Sequence, residues 1–126
     1  MRIIDDYFKK IQDIIAKSKI VASTNIEYIK VLDHEGYVRG TLTLIDGSEL
    51  RLLEYTEISR GQPTVVRYRF QWQTAGGLIA RWNNAPNHPE VETFPHHKHV
   101  KGEERPKPSR AKTLISILKE IEAEMV

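Results

Sequence analysis

The 126-residue chain fits one domain, spanning 1–126, which can bury a core without disulfides or a structural metal. It has no cysteine, which excludes disulfides, iron–sulfur clusters and thiolate zinc sites and leaves His and carboxylates as possible metal ligands. The 19 Lys and Arg against 17 Asp and Glu give a net charge of +2, too little to mark a nucleic-acid binder, because phosphate affinity follows local charge.

The N-terminal residues Met1-Arg2-Ile3-Ile4-Asp5-Asp6 lack the basic region and apolar core of a signal peptide. No apolar run reaches the roughly 20 residues that span a bilayer, so no membrane partner is expected and cytoplasm is the expected compartment. Ile4, Phe8, Ile11 and Ile15 then fall on one helical stripe, with Lys9, Lys10, Gln12, Asp13 and Lys17 on the other side, and predict an N-terminal helix. From Asn25 to Asn83 the period changes to two. Strands are predicted at 26–32, 37–45, 48–58, 66–73 and 78–82, with Asp46-Gly47 as a hairpin signal and Ala75-Gly76-Gly77 as the last turn. The fourth is the clearest, since Val66, Tyr68, Phe70 and Trp72 alternate with Arg67, Arg69, Gln71 and Gln73. Short connections between consecutive strands imply an antiparallel meander. A second helix is predicted from Ser109, as its N-cap, to the C-terminus, with Leu114, Ile117, Leu118, Ile121 and Met125 as its apolar stripe. The fold class is therefore α+β, a five-stranded antiparallel meander packed with an N-terminal and a C-terminal helix.

The segment from Arg81 to Lys101 holds four of the five histidines, His88, His96, His97 and His99, and five of the six prolines lie between Pro86 and Pro108. A connection this long in a compact domain is usually functional or disordered. Trp82, Val91, Phe94 and Val100 are apolar residues that would pin it to the sheet, and the prolines stiffen it. Residues 60–82 carry Arg60, Arg67, Arg69 and Arg81 with no acidic residue.

Three uses of this segment compete. Metal-independent RNA cleavage needs an acid and a base with pKa near the working pH, and cations for the charge that grows on phosphorus. His88, His96, His97 and His99 would transfer protons. Arg67, Arg69, Arg81 and Lys98 would bind substrate, and Trp82 or Tyr68 would stack on an unpaired base. No cofactor and no metal is needed in that scheme. The second use is a metal site, drawing on the same histidines with Glu90 or Glu92. In an extended chain His97 and His99 point one way and His96 the other, which favours a two-ligand pair over a compact three-ligand set. The third is a noncatalytic module that holds RNA or a protein through this face. Structural roles for single residues stand beside all three: Trp82 and Phe94 in the core, the arginines on a solvated strand face, and His34 on an ordinary turn.

Tyr68-Arg69-Phe70-Gln71-Trp72, then 78–89 (Leu-Ile-Ala-Arg-Trp-Asn-Asn-Ala-Pro-Asn-His-Pro), then Thr93-Phe94-Pro95-His96-His97-Lys98-His99 resemble the TumE family. These are small prokaryotic toxins of toxin–antitoxin pairs. The resemblance covers roughly residues 25–120 and is most specific in the middle third. Asn83 stands where that pattern has an acidic residue, and Asn87 where a further histidine is common. The resemblance points to Arg81, Trp82, His88, His96, His97, Lys98 and His99, and implies a small DNA-binding antitoxin as partner. Homodimerisation is left open.

Overall fold

The computed structural model describes residues 3–125. Met1 and Arg2, part of the segment read above as no signal peptide, and Val126, the expected end of the second helix, lie outside the described residues. Helix α1 spans Ile4–Lys17, and its buried residues Ile4, Tyr7, Phe8, Ile11 and Ile15 form the expected stripe. No side chain caps its first turn; the Ile4 amide donates instead to the Asp33 carbonyl at 2.9 Å, while Asp5 pairs with Lys30 at 3.2 Å.

Seven strands follow among the described residues: β1 Val21–Leu32, β2 Glu35–Leu44, β3 Glu49–Ser59, β4 Gln62–Thr74, β5 Gly77–Asn83, β6 His97–Val100 and β7 Lys107–Pro108. Helix α2, Leu114–Met125, closes the chain. The strands form one antiparallel sheet in strict chain order, the predicted meander. The predicted number, five, is corrected to seven. Strands β6 and β7 come from the proline-rich segment, where no period-two pattern of apolar residues marks them; β5 and its pairing Trp82↔Lys98 and Asn83↔His97 make β6 a strand. Strand β1 also starts five residues before its predicted start at Ile26. As an edge strand it is exposed along most of its length, so its first half carries no alternation to read.

The core lies between the two helices and the sheet face they cover, the inner face. Val38 and Leu42 of β2, Leu50 and Leu52 of β3, Tyr68, Phe70 and Trp72 of β4, and Ala80 and Trp82 of β5 meet the α1 stripe and Leu114, Ile117, Leu118 and Ile121 of α2. The buried Trp72 indole donates to Ser48 Oγ at 3.0 Å. Helix α2 begins at Leu114 and not at Ser109. Its cap is Thr113, whose Oγ1 accepts from the Ser116 amide at 3.1 Å while Ser116 Oγ accepts from the Thr113 amide at 2.9 Å. Ser109 instead donates its amide to Thr93 Oγ1 at 2.8 Å.

One acid sits in this core. Glu54 on β3 is fully buried. Its Oε1 accepts from the Tyr7 and Thr56 hydroxyls, and its Oε2 accepts from the Leu114 amide at 2.7 Å, at the first turn of α2. Burial pushes the Glu54 carboxyl above its ordinary value, against the pull of those three donors. Burial and the neighbouring carboxyl likewise push the Tyr7 hydroxyl far up.

Gly40 in β2 has φ +139°, and a Cβ there would lie 2.2 Å from the Asn25 carbonyl oxygen and 2.7 Å from Ile26 Cα of β1. These are backbone atoms that cannot turn aside. Gly40→Ala is expected to cost about 1–3 kcal/mol through strain and overpacking, read as a lowered urea midpoint with an unchanged slope.

Candidate functional site

Strand β5 sets the geometry of the histidine-rich segment. Phe70↔Trp82 and Trp72↔Ala80 put Trp82 and Ala80 on the inner face, so Arg81 and Asn83 project from the outer one, beside Gln71 and Arg69. The next pairings, Arg81↔His99 and Asn83↔His97, continue the alternation, with His97 and His99 outward and Lys98 inward under Trp82.

Between β5 and β6 the chain makes a packed excursion. Asn84 ties its start down, accepting from the Tyr68 amide at 3.0 Å and donating to the Val66 carbonyl at 3.1 Å. Val91 is buried, as expected, whereas Phe94 is 45% exposed, which corrects its expected place in the core. Backbone turns join Val91 to His88, Phe94 to Val91 and His96 to Thr93, and Thr93 Oγ1 donates to the His96 carbonyl at 2.7 Å. This path returns His88 to the outer face.

Three imidazoles meet there. The His88–His97, His97–His99 and His88–His99 ring centroids are 4.9, 5.1 and 5.4 Å apart, all edge to face. One nitrogen from each lies within 4.8 Å of the others. His97 is 1% exposed; its Nδ1 faces the Pro95 carbonyl at 3.0 Å, so that nitrogen carries the proton, and Nε2 is buried without a partner. His88 Nδ1 is 3.1 Å from Glu90 Oε1. Burial, then the Arg81 charge and the other two imidazoles, hold the His99 pKa below its ordinary value.

The expected catalytic set therefore splits across the sheet. His96 lies on the inner side, its ring stacked on Tyr68 at 5.8 Å and its Nδ1 2.9 Å from the Tyr68 hydroxyl, whose pKa burial pushes up to about 12. Lys98 Nζ sits 4.8 Å from the Trp82 ring centre and pairs with Glu120 of α2 at 3.2 Å; Lys112 pairs with the same carboxylate at 2.8 Å. Burial opposes ionisation of Glu120, but those two lysines outweigh it and hold its pKa low. Lys98 is thus turned away from the imidazole cluster. Trp82 is 0% and Tyr68 2% exposed, which corrects the expectation that either stacks on a base. The alternation expected of His96, His97 and His99 does hold, but His88 adds the third ring to the pair, so the expectation of two ligands without a compact third is corrected.

The outer face beyond the cluster carries Arg51, Arg67, Arg69 and Arg81 with Gln71. Arg67 lies 6.0 Å over the Tyr55 ring, and Tyr55 stacks on Tyr37 at 5.9 Å. A cleft of about 290 Å³ opens between Arg51, Leu53, Arg69 and Gln71. Tyr37, Tyr55 and Arg51 were not singled out in the sequence; their shared face follows from the register Tyr37↔Tyr55 and Arg51↔Gln71. A wider cleft, about 830 Å³, lies around Lys30, Val31, His34 and Glu57, and His34 is the one imidazole among its described lining residues.

Among the described residues no helix is long and apolar enough to cross a membrane. No curated protein and no solved structure gives a significant match to the chain. The family model described as toxin TumE matches residues 11–125, from the first helix through the sheet and the imidazole cluster to the last, and on that match the chain belongs to the TumE toxin family.

Proposed function

We propose that this TumE-family toxin acts by cleaving RNA, with the outer sheet face as its RNA-binding surface and the His88, His97, His99 and Arg81 group as its reaction centre. One observation carries the reading: three imidazoles converge beside an arginine on a sheet face that also presents Arg51, Arg67 and Arg69. Clustered cations on one face, in a chain whose net charge is only +2, make a local phosphate-binding surface. The half-buried Tyr37–Tyr55 pair replaces Trp82 as the candidate stacking platform.

Within the cluster, His88 and His99 are partly exposed and within reach of substrate, whereas His97 is enclosed and acts by holding the other two rings. His88 and His99 serve as base and acid, and Arg81 stabilises the charge that grows on the phosphoryl oxygens. His96 and Lys98 support the site from the helix side. The family implies an antitoxin partner, which in this reading is a small DNA-binding protein that masks the outer face.

The test is expression without antitoxin, with growth and RNA integrity as readouts. The wild type and His34→Ala are expected to arrest growth with fragmented RNA. His88→Ala and His99→Ala are expected to lose about 10²–10⁴-fold in cleavage while remaining folded. Intact RNA and normal growth with the wild type would remove the proposal.

A further inference from the structure

Proton transfer by the partly exposed imidazoles leaves one feature unused: a buried imidazole nitrogen with no hydrogen-bond partner among the described residues. We infer that His88, His97 and His99 form a three-nitrogen site for a divalent transition ion of the zinc class. Such a site goes beyond RNA cleavage and stands whether or not the toxin cleaves RNA.

The first support is His97. Its Nδ1 faces the Pro95 carbonyl and donates to it, so in the neutral ring Nε2 presents the lone pair. That atom is buried without a hydrogen-bond partner among the described residues, in the ring that touches both His88 and His99. Backbone-fixed Nδ1 with a free Nε2 is the arrangement by which proteins prepare a histidine to ligate metal. The second support is His88, whose Nδ1 faces the Glu90 carboxylate at 3.1 Å, the carboxylate–histidine arrangement that also fixes a ligand's tautomer and raises its basicity. Two of the three rings thus carry an outer acceptor on Nδ1.

Distance agrees with a site that closes slightly on loading. A tetrahedral ion with Zn–N bonds of about 2.0–2.1 Å places its nitrogens roughly 3.3 Å apart, against a widest separation of 4.8 Å in the cluster. His97 and His99 are held by the β5–β6 ladder, and His88 comes from the connection that precedes β6, so closing the cluster requires His88 to approach the other two rings. Chemistry selects the ion class. Imidazole donors without a ligating carboxylate suit zinc, cobalt, nickel or copper and not magnesium or calcium, which take oxygen ligands. Three protein ligands leave a coordination position open to a water or a phosphate oxygen on the partly exposed side, where Arg81 stands opposite His99. Ligation would commit the lone pairs that proton transfer by His88 and His99 needs, so an occupied cluster would not serve at the same time as the acid–base pair proposed above.

The full chain, freed of any affinity tag, is titrated with Co²⁺ and followed by its visible ligand-field bands, then competed with Zn²⁺. The wild type and His34→Gln are expected to bind one ion per chain with tetrahedral bands that Zn²⁺ abolishes. His88→Gln and His99→Gln, at partly exposed positions that tolerate the change, are expected to weaken binding by at least about tenfold, and Glu90→Gln by about tenfold. Circular dichroism of each variant separates lost ligation from lost fold. No saturable binding by the wild type, or wild-type affinity in folded His88→Gln and His99→Gln, would overturn the inference. Neither readout involves RNA, so its failure leaves the cleavage reading standing, and intact RNA in the toxicity assay leaves the metal site standing.

Discussion

Glu54→Ala is expected to lower the thermal midpoint by on the order of 10 °C or more, a larger loss than Gly40→Ala should produce. The alanine would leave the Tyr7 hydroxyl, the Thr56 hydroxyl and the Leu114 amide without their acceptor in a site that is 0% exposed. Each orphaned buried donor costs about 1–3 kcal/mol, against a total of about 5–15 kcal/mol for a domain. The three groups come from α1, β3 and the start of α2, so the loss loosens both helices from the sheet at once. Glu54→Gln keeps one oxygen acceptor but sets an amide NH₂ against one of the donors, and its cost is expected to be smaller.

The same residue gives a pH dependence with a definite sign. Folding raises the Glu54 pKa, so the folded state binds this proton more tightly than the unfolded state. Its contribution is therefore fully present below the ordinary carboxylate range and is lost as pH rises from there to the folded pKa. Acids with depressed values, such as Glu120, act in the opposite sense and gain stability as pH rises. The difference in unfolding free energy between wild type and Glu54→Gln, followed as pH rises from the ordinary carboxylate range through neutrality, isolates the Glu54 part. A difference independent of pH would show that the carboxyl is not raised.

Arg81→Met is expected to reduce RNA cleavage by about 10²–10³-fold, the usual loss when one charge-stabilising donor is removed from a reaction centre. The substitution keeps the aliphatic stem, and Arg81 lies on the open face of β5 between Gln71 and His99, so the fold should hold. The readout that separates this from simple weakening of RNA affinity is the turnover rate at saturating RNA, which should fall for Arg81→Met. Arg67→Met, farther along the face and resting on Tyr55, should instead weaken binding and lower its salt dependence while sparing turnover. Equal losses in binding alone for both variants would remove Arg81 from the reaction centre.

Much of the frame was readable in the chain because its signals are local. The α1 stripe of Ile4, Phe8, Ile11 and Ile15, the alternation around Tyr68, Phe70 and Trp72, and the short turns that force a meander all depend on residues a few positions apart. The gathering of histidines between Arg81 and Lys101 was visible as composition. Strands β6 and β7 were not visible, since a strand made of His-Lys-His-Val acquires its conformation from the ladder it joins and not from its own apolar pattern. Ser109 read as a helix cap for a similar reason: the competing partner, Thr93 Oγ1, lies sixteen residues away in sequence.

By itself, then, the sequence determined the α+β class, the order of the helices and the first five strands, the absence of thiol chemistry and the stretch in which the unusual side chains would be found. Only the tertiary structure decided which of them meet. The pleat of β6 sent His97 and His99 to one face and Lys98 to the other, the connection brought His88 back to join the first two, and Tyr68 captured His96 on the helix side. Alternation along a strand is a local property, but which face is left open depends on where α1 and α2 pack, and that is set by contacts such as Glu54 to Leu114, separated by sixty residues. A cluster assembled across such separations has no signature in any short window of sequence.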